Sequence, residues 1–416
     1  AAAGAAADAA AGGAAGETPS RYWRWRGFDV HYELHDGTGA GVETRDGAPD
    51  ADVVFVAGFG CGTFHFERNL APLAAAAGCR TFAMDIAGQG KSWPVEVAPL
   101  NASGHSYDAE LWVEQLSSFV DEVVRGGRKD GLAERRVFLV GNSLGGYLCA
   151  AAAERLARAS AVEGVVLLNA TPFWGSTAVL PEWLWRGALP VPRPLRSLVT
   201  SYWDFFRSEG NIARLLALVY ARPDVTLSRG GGDGRAARDK EGADYAQLVA
   251  DIRAPSEHPH ALDAFCSILL SPALAAPPGA GKLTGAFDAA LASLSSSGVK
   301  VVLLNGEEDP WVVPAWGRRA KRMVPGATLV EISPAGHCPH HEAPALTNEL
   351  LRCLVTSGGV DTPAALAAAE AASRAEAADP RAARVAVRAR AVRDGSPQTL
   401  LGKVVAAAEE RGWAQL

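Results

Sequence analysis

Residues 137–147 read VFLVGNSLGGY. An apolar run that ends in Gly141-Asn142-Ser143-Leu144-Gly145 and passes directly into an Ala-rich stretch describes a strand, a sharp turn and a helix. A serine at the apex of such a turn holds a strained backbone conformation, and its hydroxyl is lifted out of the sheet. The next backbone N–H and the helix N-terminus then face any oxyanion that forms beside it. Glycine two residues to either side lets strand and helix approach each other. In a chain with 44 glycines the five-residue pattern alone carries little weight. The strand before it and the helix after it make Ser143 a candidate nucleophile.

Outward from this turn, short apolar runs recur at Val53–Val56, Thr81–Met84, Val165–Leu168, Val301–Leu304 and Thr328–Ile332. Each is apolar on both alternating faces, as in parallel strands covered on two sides. Segment 22–34 reads as early strands rich in aromatic and β-branched residues. Helical spacing of Trp112, Leu116, Phe119, Val120, Val123 and Val124 marks a helix over 109–124. The pattern is that of the α/β class: a mostly parallel, doubly wound sheet with right-handed crossovers. The alternation stops between 170 and 298, where Pro-rich joints, a Gly-rich stretch (230–234) and helical patches such as 198–220 intervene. We read 21–169 and 299–356 as the core and 170–298 as a helical cap inserted after the sixth strand. Residues 1–20 form a low-complexity Ala/Gly segment, and 357–416 an Ala-rich, partly helical peripheral tail.

Four further loops follow predicted strands. VVFVAGFGCG (53–62) ends in a Gly-rich loop, in which Gly58 permits tight reversal and Phe59 offers a backbone amide. Together with the amide of Leu144 it would form an oxyanion hole. No GxxxxGK[ST] follows, which argues against a phosphate loop. MDIAGQGKSWP (84–94) carries Asp85, Gly88 and Gly90 in a loop expected to be structural. VVLLNGEEDPWVVP (301–314) places Asp309 where an acid can hold an imidazole in its working tautomer, with Glu307 and Glu308 as rivals. Asn169, after the preceding strand, cannot be ionic. TLVEISPAGHCPHHE (328–342) supplies His337 on a Gly-bearing loop, with His340 and His341 as rivals. His337, Cys338, His340 and His341 lie too close in sequence to converge on one ion without distortion, so no metal site is expected. The order Ser143, Asp309, His337 is that of the α/β-hydrolase fold. Ser143, with His337 as general base and Asp309 as its orienter, makes this chain a serine hydrolase. No cofactor is called for.

The bulk composition bounds the partners. A net charge of -6 gives no general attraction to nucleic acid. The six cysteines, at 61, 79, 149, 266, 338 and 353, form no framework and read as reduced thiols. No apolar run is long enough to span a membrane; 261–278 comes nearest but is broken by Asp263, Pro272, Pro277 and Pro278. The cap entry LLNATPFWGSTAV and the aromatics Trp183, Trp185, Trp203, Phe205 and Phe206 would suit a large apolar ligand.

The stretches WRWRGFDVHYE, VAGFGCGTFHFE, DIAGQGKS, LVGNSLGGY, LLNATPFWG, EEDPWVVPAWG and ISPAGHCPHHEAP resemble the pheophytinase family of plastid α/β-hydrolases, from about Trp23 to about Leu354. The Ala/Gly-rich middle of the cap, Cys61 and the long tail depart from that family. The resemblance implies hydrolysis of the phytyl ester of pheophytin to pheophorbide and phytol, and a chloroplast location, in the stroma or at the thylakoid surface with peripheral membrane contact. It carries the nucleophile to Ser143 and the histidine to His337. Gly58, Phe173, Trp174 and Trp311 fall in loops expected to touch the substrate. Competing readings are a dephytylase or chlorophyllase acting on magnesium-bearing pigment, a general carboxylesterase or lipase, an acyltransferase, and a slow-turnover ligand receptor on the same fold.

Overall fold

A computed structural model describes residues 20–39, 50–95, 107–128, 135–157, 162–174, 193–223, 246–270, 274–278, 284–378, 386–396 and 403. The expected Ala/Gly segment up to residue 19, Trp183, Trp185, the Gly-rich stretch at 230–234 and the end of the tail lie outside the described residues.

One ten-stranded sheet organises the described chain, in the order β1-β2-β4-β3-β6-β7-β8-β9-β10, with β5 paired to β2. The strands are β1 (Ser20–Trp25), β2 (Phe28–Asp36), β3 (Ala51–Val56), β4 (Arg80–Met84), β5 (Trp93–Pro94), β6 (Arg136–Asn142), β7 (Gly164–Leu168), β8 (Lys300–Gly306), β9 (Thr328–Ser333) and β10 (Arg388–Val392). From β4 to β9 neighbouring strands are parallel. β1 and β2 form an antiparallel hairpin turned by Arg26 and Gly27, both at positive φ.

The apolar strands explain the layering. Val54 and Val56 of β3, Val137 and Leu139 of β6, and Val165 and Leu167 of β7 enter one core. Their alternating neighbours Val53 and Phe55, Phe138 and Val140, and Val166 and Leu168 enter another. Each fully buried aliphatic contributes about 1.5–3 kcal/mol, so a register slip on any of these strands would be costly on both faces. Helices α2 (Ala109–Phe119) and α3 (Leu144–Ala157) cover the first face with Trp112, Leu116, Phe119 and Leu148. α1 (Leu70–Ala77) and α10 (Pro344–Ser357) cover the second with Leu70, Leu73, Leu346 and Leu350. The helix expected over 109–124 is α-helical to Phe119 and then widens to a π turn over Val120–Val124.

The chain leaves β3 for α1 on one face and β6 for α3 on the other. Loops that diverge from adjacent parallel strands open a crevice at the strands' carboxyl ends. The cap follows β7, which is the sixth strand if the two-residue β5, which has no apolar run to mark it, is set aside. Described helices in this stretch are α4 (Arg193–Phe206), α5 (Glu209–Val219), a further helix over 246–253, α6 (Ala261–Leu270) and α7 (Gly285–Ser296), the last packed on the sheet. α8 (Pro314–Met323) and α9 (Pro339–Glu342) follow β8 and β9. The stretch beyond 357 is more than a peripheral tail. After α11 (Pro363–Ala378), β10 adds an antiparallel edge strand to β9, so the sheet continues past the boundary expected at 356. Arg318 and Arg390 both bond Glu331 of β9 and fix that edge.

Candidate active site

The turn after β6 places Ser143 at φ 54°. A non-glycine residue in the left-handed region costs on the order of 1–2 kcal/mol, which the surroundings must over-determine. Its N–H donates to Leu168 O (3.0 Å), and its carbonyl accepts from Gly146, Tyr147 and Thr171. The glycines are there because the strand and helix touch. A Cβ on Gly145 would lie 2.1 Å from Val56 O, and one on Gly141 would lie 2.2 Å from Gly145 O. The loop after β3 runs beside the serine, and a Cβ on Gly58 would come within 3.1 Å of Ser143 Cβ. Phe59 follows at once, while Leu144 opens α3. Both oxyanion candidates therefore flank Ser143.

His337 and Asp309 meet at the next two strand ends. His337 Nδ1 and Asp309 Oδ2 are 2.7 Å apart, and both side chains are buried. Asn169 Nδ2 donates to the same oxygen (2.7 Å), and the N–H groups of Trp311 and Val312 donate to Oδ1. Four partners on one carboxylate leave it one orientation. Asn142, beside the serine, donates to the carbonyls of His337 and Leu168 (2.9 and 3.0 Å). That tie between nucleophile turn and histidine loop has no local signal in the sequence.

The rival acids and bases have other work. Glu307 accepts from Arg390, and Glu308 from Ser333 Oγ and Ala335 N. His340 meets His65, and His341 meets Tyr220 OH, which also meets His65. Burial drives His340 well below the usual range and His65 down to about 3, so both rings are neutral. Among the described residues no group of three or more His, Cys, Asp or Glu has the arrangement to hold a metal ion.

A second row of serine, histidine and aspartate lies elsewhere. Ser20 Oγ sits 2.7 Å from His31 Nε2, and His31 Nδ1 sits 2.8 Å from Asp85 Oδ2. Asp85 also accepts from Thr63 N and Lys91 N, and a Cβ on Gly90 would strike its carboxyl at 2.3 Å. This row fastens the first hairpin to the loop after β4. Ser20 begins an extended strand, with neither the glycine turn nor the helix start that frames Ser143.

Aromatic side chains gather where the loop after β3 meets the cap. Phe59 faces Trp174 (centroids 5.6 Å) and Phe265 (6.3 Å), and Phe265 packs on Trp203 and Phe206 of the cap. Trp311 stands 6.1 Å from the His337 ring and is 55% exposed. Phe173 turns toward Trp316 and does not join the Phe59 group in any ring contact among the described residues. Phe265 sits inside an apolar helix that carries no local mark of a site.

The fold and the site define a hydrolase: the chain belongs to the alpha/beta hydrolase family, whose model matches residues 53–350. It is 32% identical over 356 residues to the chloroplastic pheophytinase of Arabidopsis thaliana, an alignment covering 78% of this chain and 63% of that protein. The chain thus spans less than two thirds of that relative's length. Among solved structures it is similar in fold to a serine hydrolase from the polyaromatic-hydrocarbon-degrading bacterium Cycloclasticus zankles. That match is 16% identical with a TM-score of 0.52, over 81% of this chain and 98% of that one. A meta-cleavage product hydrolase from Pseudomonas fluorescens IP01 is also similar, at 18% identity and a TM-score of 0.50, over 79% of this chain and 96% of that one.

Proposed function

We propose that the chain is a serine esterase that cleaves the phytyl ester of pheophytin to pheophorbide and phytol. One observation carries the chemical half of this reading: His337 and Asp309 form a buried 2.7 Å pair, and the His337 carbonyl accepts from Asn142, the neighbour of Ser143, which is held at φ 54°. Asp309 fixes the proton on Nδ1, so Nε2 is the lone-pair nitrogen that takes the proton of Ser143 as Oγ attacks the ester carbonyl. The amides of Phe59 and Leu144 stabilise the oxyanion. Collapse of the tetrahedral intermediate expels the alcohol, which receives the proton from His337. Water, activated by the same nitrogen, then frees the acid.

The substrate half rests on the likeness to the Arabidopsis pheophytinase and on the aromatic wall of Phe59, Trp174 and Trp311, which suits a large apolar pigment ester. On this reading the protein works in the chloroplast, in the stroma or in peripheral contact with the thylakoid surface. No helix among the described residues is long and apolar enough to cross a membrane. The test is hydrolysis of detergent-dispersed pheophytin a and chlorophyll a by the protein and by Ser143→Ala. Pheophorbide from pheophytin alone, lost in the variant, supports the reading. Chlorophyllide as main product moves the substrate to magnesium-bearing pigment. No product from either pigment, with short esters still cleaved, overturns the pigment assignment and leaves the esterase.

A further inference from the structure

Glu342, the last residue of α9, is buried, and its carboxylate is the meeting point of two parts of the protein. Oε1 accepts the N–H of Gly336 (2.9 Å) and of Cys338 (3.3 Å), the two residues that flank His337. Oε2 accepts the N–H of Ala221 (2.8 Å), in the cap segment that follows α5. The same segment reaches the histidine directly, since His337 N donates to Val219 O at 2.8 Å. The contact is close on all sides: a Cβ on Gly336 would lie 2.5 Å from Val219 O, 2.8 Å from Ala221 N and 3.0 Å from Glu342 Oε1. Nothing in this arrangement touches the reacting atoms. What it sets is where the backbone on both sides of His337 lies, and where the cap edge lies against it.

We propose that Glu342 is the positioning residue for His337, and that its ionised carboxylate couples the cap to the base. An ionised carboxylate offers acceptor sites to all three N–H groups; a protonated one turns one oxygen into a donor and must give up or weaken one of them. Burial pushes the Glu342 carboxyl up to about 7, against the pull of its three N–H donors, and the charge of Asp309 adds to the rise. Among the described residues, Cys338 on its own loop and Tyr220 on the cap also interact with the Glu342 charge, and burial holds both neutral. His341, His65 and Arg68 lie one contact further out. As pH falls through neutrality, the clamp therefore loosens independently of the protonation of His337 itself. Activity then requires two groups in their basic forms.

The inference rests on the Ser143–His337 reading, and the experiment separates the two. Initial rates on a short p-nitrophenyl ester are measured from pH 5 to pH 9 for the wild type, Glu342→Gln and Ser143→Ala. In the wild type the acid limb of log kcat approaches a slope of two. In Glu342→Gln it has a slope of one, with kcat at pH 8 lower by roughly ten- to a hundredfold and KM little changed, as for a displaced base. A slope of one in the wild type overturns the proposal, whether or not the variant folds. So does a Glu342→Gln enzyme whose melting temperature falls while its kcat and pH profile stay as in the wild type. An active Ser143→Ala would remove the underlying triad instead.

Discussion

The side-chain amide of Asn169 donates to Asp309 Oδ2 at 2.7 Å, the same oxygen that faces His337 Nδ1. Asn169 stands at the end of β7 with φ 43°, and its side-chain Oδ1 accepts Gly306 N. A neutral residue after β7 thus holds in place the acid supplied after β8.

Asn169→Asp would replace that donor by a second carboxylate within hydrogen-bond reach of the first. Two such carboxylates at hydrogen-bond distance share a proton, and the charge that the shared proton neutralises no longer faces His337. We expect kcat on a short ester at pH 8 to fall at least tenfold, and Asp309→Asn to lose on the order of 10⁴. A kcat unchanged in both would mean that Asp309 does not orient His337.

Two serines stand in hydrogen-bonded rows with histidine and aspartate, and only one occupies a strained turn. A fluorophosphonate probe should label the wild type and Ser20→Ala equally and leave Ser143→Ala unlabelled. Ester turnover should drop at least a thousandfold in Ser143→Ala alone. Labelling that survives in Ser143→Ala but vanishes in Ser20→Ala would exchange the two roles.

Gly145→Ala drives a methyl into the backbone carbonyl of Val56, which no side-chain rotation relieves. It should destabilise the fold by about 3 kcal/mol or more. Gly210, in the first turn of α5, has nothing within 4 Å of its added Cβ. Gly210→Ala should instead gain up to about 1 kcal/mol of stability. Denaturant midpoints of the two variants measure the contrast directly.

Trp311 is the exposed large aromatic nearest His337. If it seats the bulk of a large ester, Trp311→Ala raises KM for the phytyl ester by roughly tenfold while a p-nitrophenyl acetate substrate is turned over as before. Equal effects on both esters would assign Trp311 to the geometry of the histidine loop.

His65 is neutral in the fold because burial lowers it to about 3. The unfolded chain binds a proton there as pH drops below about 6.5, and the native state does not. Its contribution is therefore complete above pH 6.5 and is lost as the solution is acidified. Between pH 7.5 and pH 5 the wild type should lose about 2 kcal/mol more than His65→Gln in urea unfolding. Parallel losses would show that the ring is protonated in the native state.

What could be read from residues alone divides along physical lines. The six apolar runs became strands because a strand buried on both faces must be apolar throughout, a local property. The turn at Ser143 was legible because its glycines and serine fall within five residues, between a strand and a helix that each carry their own local pattern. β10 was not: RARAV at 388–392 buries only Ala389 and Val392 at a sheet edge, and its Ala and Arg content reads as helix. Spacing pointed to Asp309 over Glu307 and Glu308, whereas the donors that hold it come from β7 and its own loop. Phe265 and the bonds of Glu342 depend on where the cap lands, and nothing near them in sequence records that.

The hydrogen bond from His337 N to Val219 O has a consequence for how such enzymes diversify. Lids of this kind are usually pictured as interchangeable, with the chemistry left behind in the scaffold. Here the segment 219–221 is sewn to the loop of the base, so a transplanted lid that lacked this stitch would arrive with a displaced histidine. Descent with a new lid would then require the lid and the histidine loop to be inherited, or redesigned, together.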